Sequence, residues 1–309
     1  MSLIKKCAQN ILNFEQYSYP SAKKYYFLDN LKNNKNLLIV LAGYKKELWN
    51  NVFKRLEKYV SKNIDVCLVS SGIYSDFLNN LAQKNKWSYL SIKRNNINLA
   101  QNTAINLFPK AQNIIKMDED IFLTQGTLQN LIYDFEKIKK ECRYDVGTIS
   151  PLINLNGYSY LRILQLFNKV DQYEKLFGKA TMGGKDKPIE NSTDVARFMW
   201  GYNNYLPSID EMNKELSQLS DLSYTICPIR LTIGLFMMSR SFWKEMGMYK
   251  VRRVLNDFGK DERQINEHSI LNSEAMVIDE RCVVGHFSFH YQDKEMVKLY
   301  KEHPEYFKM

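Results

Sequence analysis

Short apolar runs and amphipathic stretches alternate along the first half of the chain. Leu37–Leu41 (LLIVL) is apolar at every position, as in a strand covered on both faces of a parallel sheet, and it ends at Ala42-Gly43. Leu48, Trp49, Val52, Phe53, Leu56 and Val60 then recur at helical spacing on one face. The rhythm continues with a strand at Val66–Val69 closing on Ser70-Ser71-Gly72 and a short helix carrying Phe77, Leu78 and Leu81. A strand at Tyr89–Ile92 and a helix at Leu99–Phe108 follow. Ile114–Met117 predicts a fourth strand, running into Asp118-Glu119-Asp120. Leu128, Leu131, Ile132, Phe135 and Ile138 mark the next helix, and Val146–Ile149 a fifth strand. Such alternation predicts an α/β fold, Rossmann-like, with a mostly parallel sheet flanked by helices. Ligands of these sheets bind beyond the carboxyl ends of the strands.

The rhythm is absent on either side of this stretch. Residues 1–36 form a polar, tyrosine-rich N-terminal segment without a clear period. Residues 155–225 hold a Gly/Lys-rich patch (GKATMGGKDKP) and an aromatic stretch (FMWGYNNYL) with few strand signals, which predicts a helical or loop insertion. From 226 to 309 come an apolar run (Ile229–Met238), a short helix (Ser241–Met246) stopped by Gly247, a charged helix over Asp257–Asn272 and an extended segment, Cys282–Tyr291.

Composition narrows the class. The 309 residues are 45% hydrophobic and 25% charged, which suits a globular chain with a real core and argues against wholesale disorder. Lys and Arg outnumber Asp and Glu by 43 to 34, a net charge of +9 that favours anionic partners such as nucleotides or an anionic membrane face. No apolar run approaches the roughly 20 residues of a membrane span. The expected location is the cytoplasm, with peripheral contact at the inner membrane face left open. The five cysteines are scattered, with no C-x-x-C pair, so they read neither as a disulfide framework nor as zinc ligands. Cys67 and Cys282 lie in apolar runs and are expected in the core.

The sharpest chemical feature is KMDEDIFL. In an extended backbone Asp118 and Asp120 share one face while Glu119 points away. Two carboxylates side by side at a strand end repel unless a cation joins them. Hard oxygen ligands suit Mg²⁺ or Mn²⁺, which commonly bridge to a substrate phosphate. The bland alternative is a solvated acidic loop.

From Leu37 to Leu123 the chain resembles the nucleotide-binding half of GT-A glycosyltransferases. RNNINLAQNTAINLFPKAQNIIKMDED is similar to the helix–strand–D-x-D stretch of family-two-like bacterial enzymes. IGLFMMSRSFWKEMGMY resembles their strand–helix signature near the acceptor, GKDERQI the acidic motif after it, and VVGHF a late strand whose His completes the metal shell. The resemblance implies a nucleotide-sugar-binding half over 37–154 and an acceptor half over 226–309, and leaves 155–225, an insertion or lid by its composition, unmatched. It implies Mn²⁺ or Mg²⁺ held by Asp118, Asp120 and His286. One of Asp261 and Glu262 would face the acceptor hydroxyl, as general base if the enzyme inverts. A charged first turn of a helix is the competing explanation for that pair. His286 and His290 would be roughly 13 Å apart along a strand at about 3.3 Å per residue, too far to share one ion.

On the donor side, Ala42, Gly43, Ser70 and Ser71 would let a base and ribose approach the backbone, and Asn98 and Asn102 would bond uracil or ribose. Turn and cap chemistry is the alternative for each. Arg94, Lys116, Arg230, Arg252 and Arg253 are candidate phosphate partners, with Arg230 placed on the acceptor side. Between Gly178 and Tyr205, Gly183 and Gly184 would hinge a lid with Lys185, Lys187 and exposed Phe198, Trp200, Tyr202 and Tyr205, Trp200 stacking on the acceptor. Burial of these rings in a helical insertion is the competing expectation.

The implied function is metal-dependent, hexosyltransferase-like transfer from a nucleoside-diphosphate sugar, UDP-sugar favoured. The acceptor would be a surface glycan or glycolipid, as in lipopolysaccharide or capsule synthesis. A sugar-phosphate nucleotidyltransferase is the enzyme rival, weakened because AGYKKELW holds one Gly where a Gly/Arg-rich loop is needed. A basic nucleic-acid-binding protein is the non-enzyme rival. The basic residues are spread along the chain without a known binding module, so nucleic acid is not expected as a partner.

Overall fold

The computed structural model describes residues 21–182, 187–251 and 259–309. Their ten strands build a mostly parallel sheet flanked by helices, the α/β class that the alternation predicts. In chain order the strands are β1 (Tyr25–Leu28), β2 (Asn36–Leu41), β3 (Ile64–Ser71), β4 (Ser88–Ile92), β5 (Asn113–Asp118), β6 (Ile121–Phe122), β7 (Val146–Ile153), β8 (Tyr224–Ile226), β9 (Leu235–Ser239) and β10 (Ala275–His286). The chain divides into two compact units made of interleaved segments. The first takes the described residues of 1–44, 62–115 and 238–272, and the second those of 45–61, 116–237 and 273–309.

In the first unit β2, β3 and β4 run parallel, with Leu41 beside Val69 and Ser71 beside Ile92. That register brings the Ala42-Gly43 and Ser70-Ser71-Gly72 turns out at one edge. Every residue of these three strands is buried, which explains the apolar runs Leu37–Leu41 and Val66–Val69 within them. β1 closes antiparallel on β4. It escapes sequence reading because Tyr25 and Tyr26 are exposed while Phe27 and Leu28 are half-buried, so no alternation marks it. The helix Ile97–Leu107 starts where the Asn96 side chain accepts from the Leu99 N–H at 2.8 Å, an N-cap that satisfies an otherwise orphaned donor.

In the second unit β7 and β10 are parallel, and β8 and β6 pair antiparallel with β10. The helix Thr127–Glu141 packs on β7 and β10 through buried Leu128, Leu131, Phe135 and Ile138. Residues 155–225 are largely helical and begin with Ser159–Leu166 and Val170–Phe177. Farther on come Thr193–Met199 and Ile209–Leu216, the latter opened by a Ser208/Glu211 capping box.

The late strand differs from expectation. It begins at Ala275 and stops at His286, whereas the apolar pattern suggests Cys282–Tyr291. Asp279, Glu280 and Arg281 interrupt the pattern, yet each finds a partner inside. Asp279 shares a hydrogen bond with Asp134, Arg162 donates to Glu280 at 2.7 Å, and Arg281 reaches Asp134 at 3.1 Å. Past His286 the chain turns, held by the Gln292 amide donating to the Ile189 and Ser192 carbonyls. Cys67 and Cys282 are fully buried, as their apolar surroundings predict.

Candidate functional site

The D-x-D lies in the second unit between β5 and β6. Pairing of β6 with β10 sets His286 opposite Ile121, directly beside Asp120. Asp120 is buried, and its Oδ2 lies 2.8 Å from Lys45 Nζ and 3.4 Å from His286 Nε2. Its other oxygen, Oδ1, is buried and accepts no hydrogen bond. The imidazole is aimed by its other nitrogen, 3.1 Å from the Leu155 carbonyl, and its backbone N–H donates to Asn154 at 2.8 Å. The carbonyl at Nδ1 orients the ring so that Nε2 is the nitrogen turned toward Asp120.

Burial alone would raise the Asp120 carboxyl, but the neighbouring His286 and Lys45 outweigh it and hold the group well below the usual carboxylate range. Lys45 also sits 3.4 Å from Asp293, whose Oδ1 accepts from Ser288 Oγ at 2.5 Å. Burial would lower the Lys45 ammonium; Asp120 and Asp293 together raise it instead. Glu119, between the two aspartates, accepts from the Trp49 indole.

Asp118 stands apart. Its Oδ2 lies 2.6 Å from Lys116, which is itself buried and also donates to the Ile233 carbonyl. Among the described residues, the donor atoms of Asp118, Asp120 and His286 are not gathered within 4.8 Å of one another; Asp120 and His286 are the pair brought together. Lys116 is therefore the counter-ion of Asp118 rather than a free phosphate contact. His290 is almost fully exposed, 3.9 Å from Asp293. An unsatisfied buried carboxylate oxygen, an oriented imidazole and a second carboxylate two residues away suit a hard divalent ion such as Mn²⁺ or Mg²⁺.

The Trp200 expectation is corrected. The ring is 1% exposed, packs edge-on against Phe122 and close to Phe307, and donates its indole N–H to the His286 and Phe287 carbonyls at 3.1 Å each. Phe198 is buried as well, stacked on Tyr205. These rings are core of the second unit, because a helical segment rich in aromatics hides them from water. Gly183, Gly184 and Lys185 of the expected hinge lie outside the described residues, as do Arg252 and Arg253. Arg230 is more than half exposed, 4.0 Å from Glu190.

In the first unit Ala42 continues the ladder, donating to Val69 at 2.9 Å, and a Cβ on Gly43 would press on Ile73 at 2.8 Å. Ser70 Oγ donates to the Ile73 carbonyl and shares a hydrogen bond with Tyr89; Ser71 Oγ accepts from the Asn96 N–H at 2.6 Å. These residues shape the turn at the sheet edge. Next to it opens a cleft of about 390 Å³ lined by Tyr25, Tyr26, Gly72, Tyr74 and the two lysines 24 and 93.

Asn102 does not face a ligand. Its amide donates to the Tyr249 carbonyl and its oxygen accepts from the Trp243 indole and the Tyr249 N–H, with no exposure left. Asn98 is equally buried and donates to the Lys250 carbonyl, while its Oδ1 has no hydrogen-bond partner. Their four-residue spacing puts both on the buried stretch Asn98–Ile105 of this helix, where they serve packing. Asp261 lies in the first turn of the helix Lys260–Leu271, accepting from the Gln101 amide at 3.1 Å and the Glu262 N–H at 2.9 Å. Asp261 is buried and Glu262 half-buried.

Lys45, Asp293 and Ser288 are the residues that sequence reasoning misses. Lys45 follows the turn after β2, the edge where a ligand of this sheet class binds, and that position is the signal available in the sequence.

No family model and no curated protein matches the chain. Among solved structures it is similar to the mannosyltransferase PcManGT from Pyrobaculum calidifontis in complex with GDP-Man and Mn²⁺, at 12% identity, covering 86% of this chain and 61% of that one, with a TM-score of 0.49. It is also similar to GalNAc-T7 with UDP, GalNAc and Mn²⁺, at 13% identity, covering 99% of this chain and 60% of that one, with a TM-score of 0.49. The chain spans about three fifths of the length of both.

Proposed function

We propose that this chain is a metal-dependent glycosyltransferase of the GT-A type, moving a sugar from a nucleoside diphosphate, UDP favoured, to a glycan or glycolipid acceptor. The observation that carries the reading is the pair Asp120 and His286. The Asp120 carboxylate faces the imidazole through Oδ2, its buried Oδ1 accepts no hydrogen bond, and the Leu155 carbonyl at Nδ1 orients the ring.

Asp120 and His286 would hold Mn²⁺ or Mg²⁺, with Asp118 after release from Lys116. When bound, the ion supplies charge neutralisation for a leaving diphosphate. The chain's own residues do the rest. The Leu155 carbonyl keeps His286 Nε2 turned toward Asp120, and Trp200 fixes the backbone of the loop that follows. Ala42, Gly43, Ser70 and Ser71 form an edge narrow enough for a base and ribose to meet backbone. Asp261 or Glu262 would take the proton of an acceptor hydroxyl, with Arg230 on the acceptor side. The net charge of +9 favours an anionic membrane face as the place of work, and no described helix is long and apolar enough to cross a membrane.

A hydrolysis screen over nucleotide sugars, run with Mn²⁺ and with chelator, tests the reading. Chelator-sensitive release of a nucleoside diphosphate from one donor supports it; no release from any donor, together with no Mn²⁺-dependent nucleotide binding, contradicts it.

A further inference from the structure

We propose that Lys45 is the resident counter-ion of Asp120, displaced when a divalent ion enters, so that the ion and a nucleoside diphosphate bind cooperatively. This rests on the metal-site reading above.

Lys45 Nζ sits on the same Asp120 oxygen that faces His286 Nε2, at 2.8 Å against 3.4 Å. An ammonium and a divalent ion therefore compete for one carboxylate. The ammonium also has somewhere to go. Asp293 lies 3.4 Å away on the other side, at the first position of the helix Asp293–Glu302, and Ser288 pins it. Lys45 is a flexible stem with a compact charge, 27% exposed, so its head can move between the two acids without unfolding anything. Released from Asp120, the ammonium becomes a charge-assisted donor for a phosphate oxygen at the same site. Lys45 thus pairs with the carboxylate when the site is empty, opposes the bare ion, and favours the ion together with the diphosphate. Linkage requires that each of those ligands then tightens the other.

Calorimetric titration of Mn²⁺ alone, and of UDP at saturating Mn²⁺, tests the exchange on the full chain. Lys45→Met should bind Mn²⁺ alone about tenfold more tightly, because a positive charge has left the site, and UDP about tenfold more weakly. Lys46→Met removes the neighbouring exposed charge and should change neither. Asp293→Asn should weaken Mn²⁺ binding by leaving Lys45 wholly on Asp120, and that effect should vanish in the Lys45→Met background. Mn²⁺ affinity of Lys45→Met equal to or below that of the unmodified chain overturns the exchange. If the unmodified chain binds no Mn²⁺ even with UDP present, the metal-site reading itself falls, and the exchange with it.

Discussion

The indole of Trp200 fills the space that a Cβ at Gly285 would need: such an atom would overlap Cη2 and lie 2.9 Å from Cζ2. Gly285 precedes His286, and the same indole donates to the His286 carbonyl. The ring is therefore a pillar beneath the histidine that faces Asp120. Trp200→Ala should cost about 3–5 kcal/mol of stability, read in a denaturant or thermal melt, with activity following the folded fraction. Unchanged stability with a raised acceptor KM would return Trp200 to an acceptor-stacking role.

His286 and His290 separate the same way in metal binding. His286→Ala should need far more Mn²⁺ for equal nucleotide binding, because it removes an oriented imidazole nitrogen beside Asp120. His290→Ala, an exposed ring, should match the unmodified protein. Equal effects from the two variants contradict the assignment.

Asn102 carries a comparable structural duty in the first unit, through hydrogen bonds to the Tyr249 backbone and the Trp243 indole. Asn102→Ala should destabilise by about 1–3 kcal/mol, since it leaves a buried indole N–H and backbone groups unpaired. Nucleotide affinity of the folded protein should stay the same. A loss of affinity without a loss of stability would restore it as a donor contact.

Burial, and then the neighbouring Asp134, push the Asp279 carboxyl up to about 7. Arg281, Asp221, Lys137 and Cys282 are the other groups facing this pair. A carboxyl raised on folding favours the protonated native state. Its contribution is fully present below the unfolded value, about 3.9, and is lost as pH rises through about 7. Stability should therefore fall by about 2–3 kcal/mol between pH 5 and 8 from this group. Asp279→Asn should flatten that slope in urea melts across the range; an unaltered slope argues against the shared proton.

The parallel strands of the first unit are readable because both faces are covered, so hydrophobicity alone marks Leu37–Leu41 and its neighbours. β10 is not, because buried Asp279 and Glu280 and half-buried Arg281 break the pattern and only their distant partners make them tolerable. At the site, the two-residue repeat of Asp118 and Asp120 predicts their common face, yet Asp118 pairs with Lys116 and does not form one cluster with Asp120 and His286. The choice of His286 over His290 rests on the short β6–β10 pairing. Trp200 and Asn102 mislead for one reason: side-chain chemistry that suits a ligand also suits a buried hydrogen bond, and burial is a property of the fold.

Asp120→Asn, assayed for binding of UDP and GDP with Mn²⁺ and with chelator, bears most directly on the proposed function. The unmodified protein should bind at least one of the two nucleotides far more tightly with Mn²⁺, and the variant should lose that difference while its circular dichroism remains that of a folded chain. A variant that keeps the full Mn²⁺ dependence, or an unmodified protein indifferent to chelator, contradicts the metal site at Asp120.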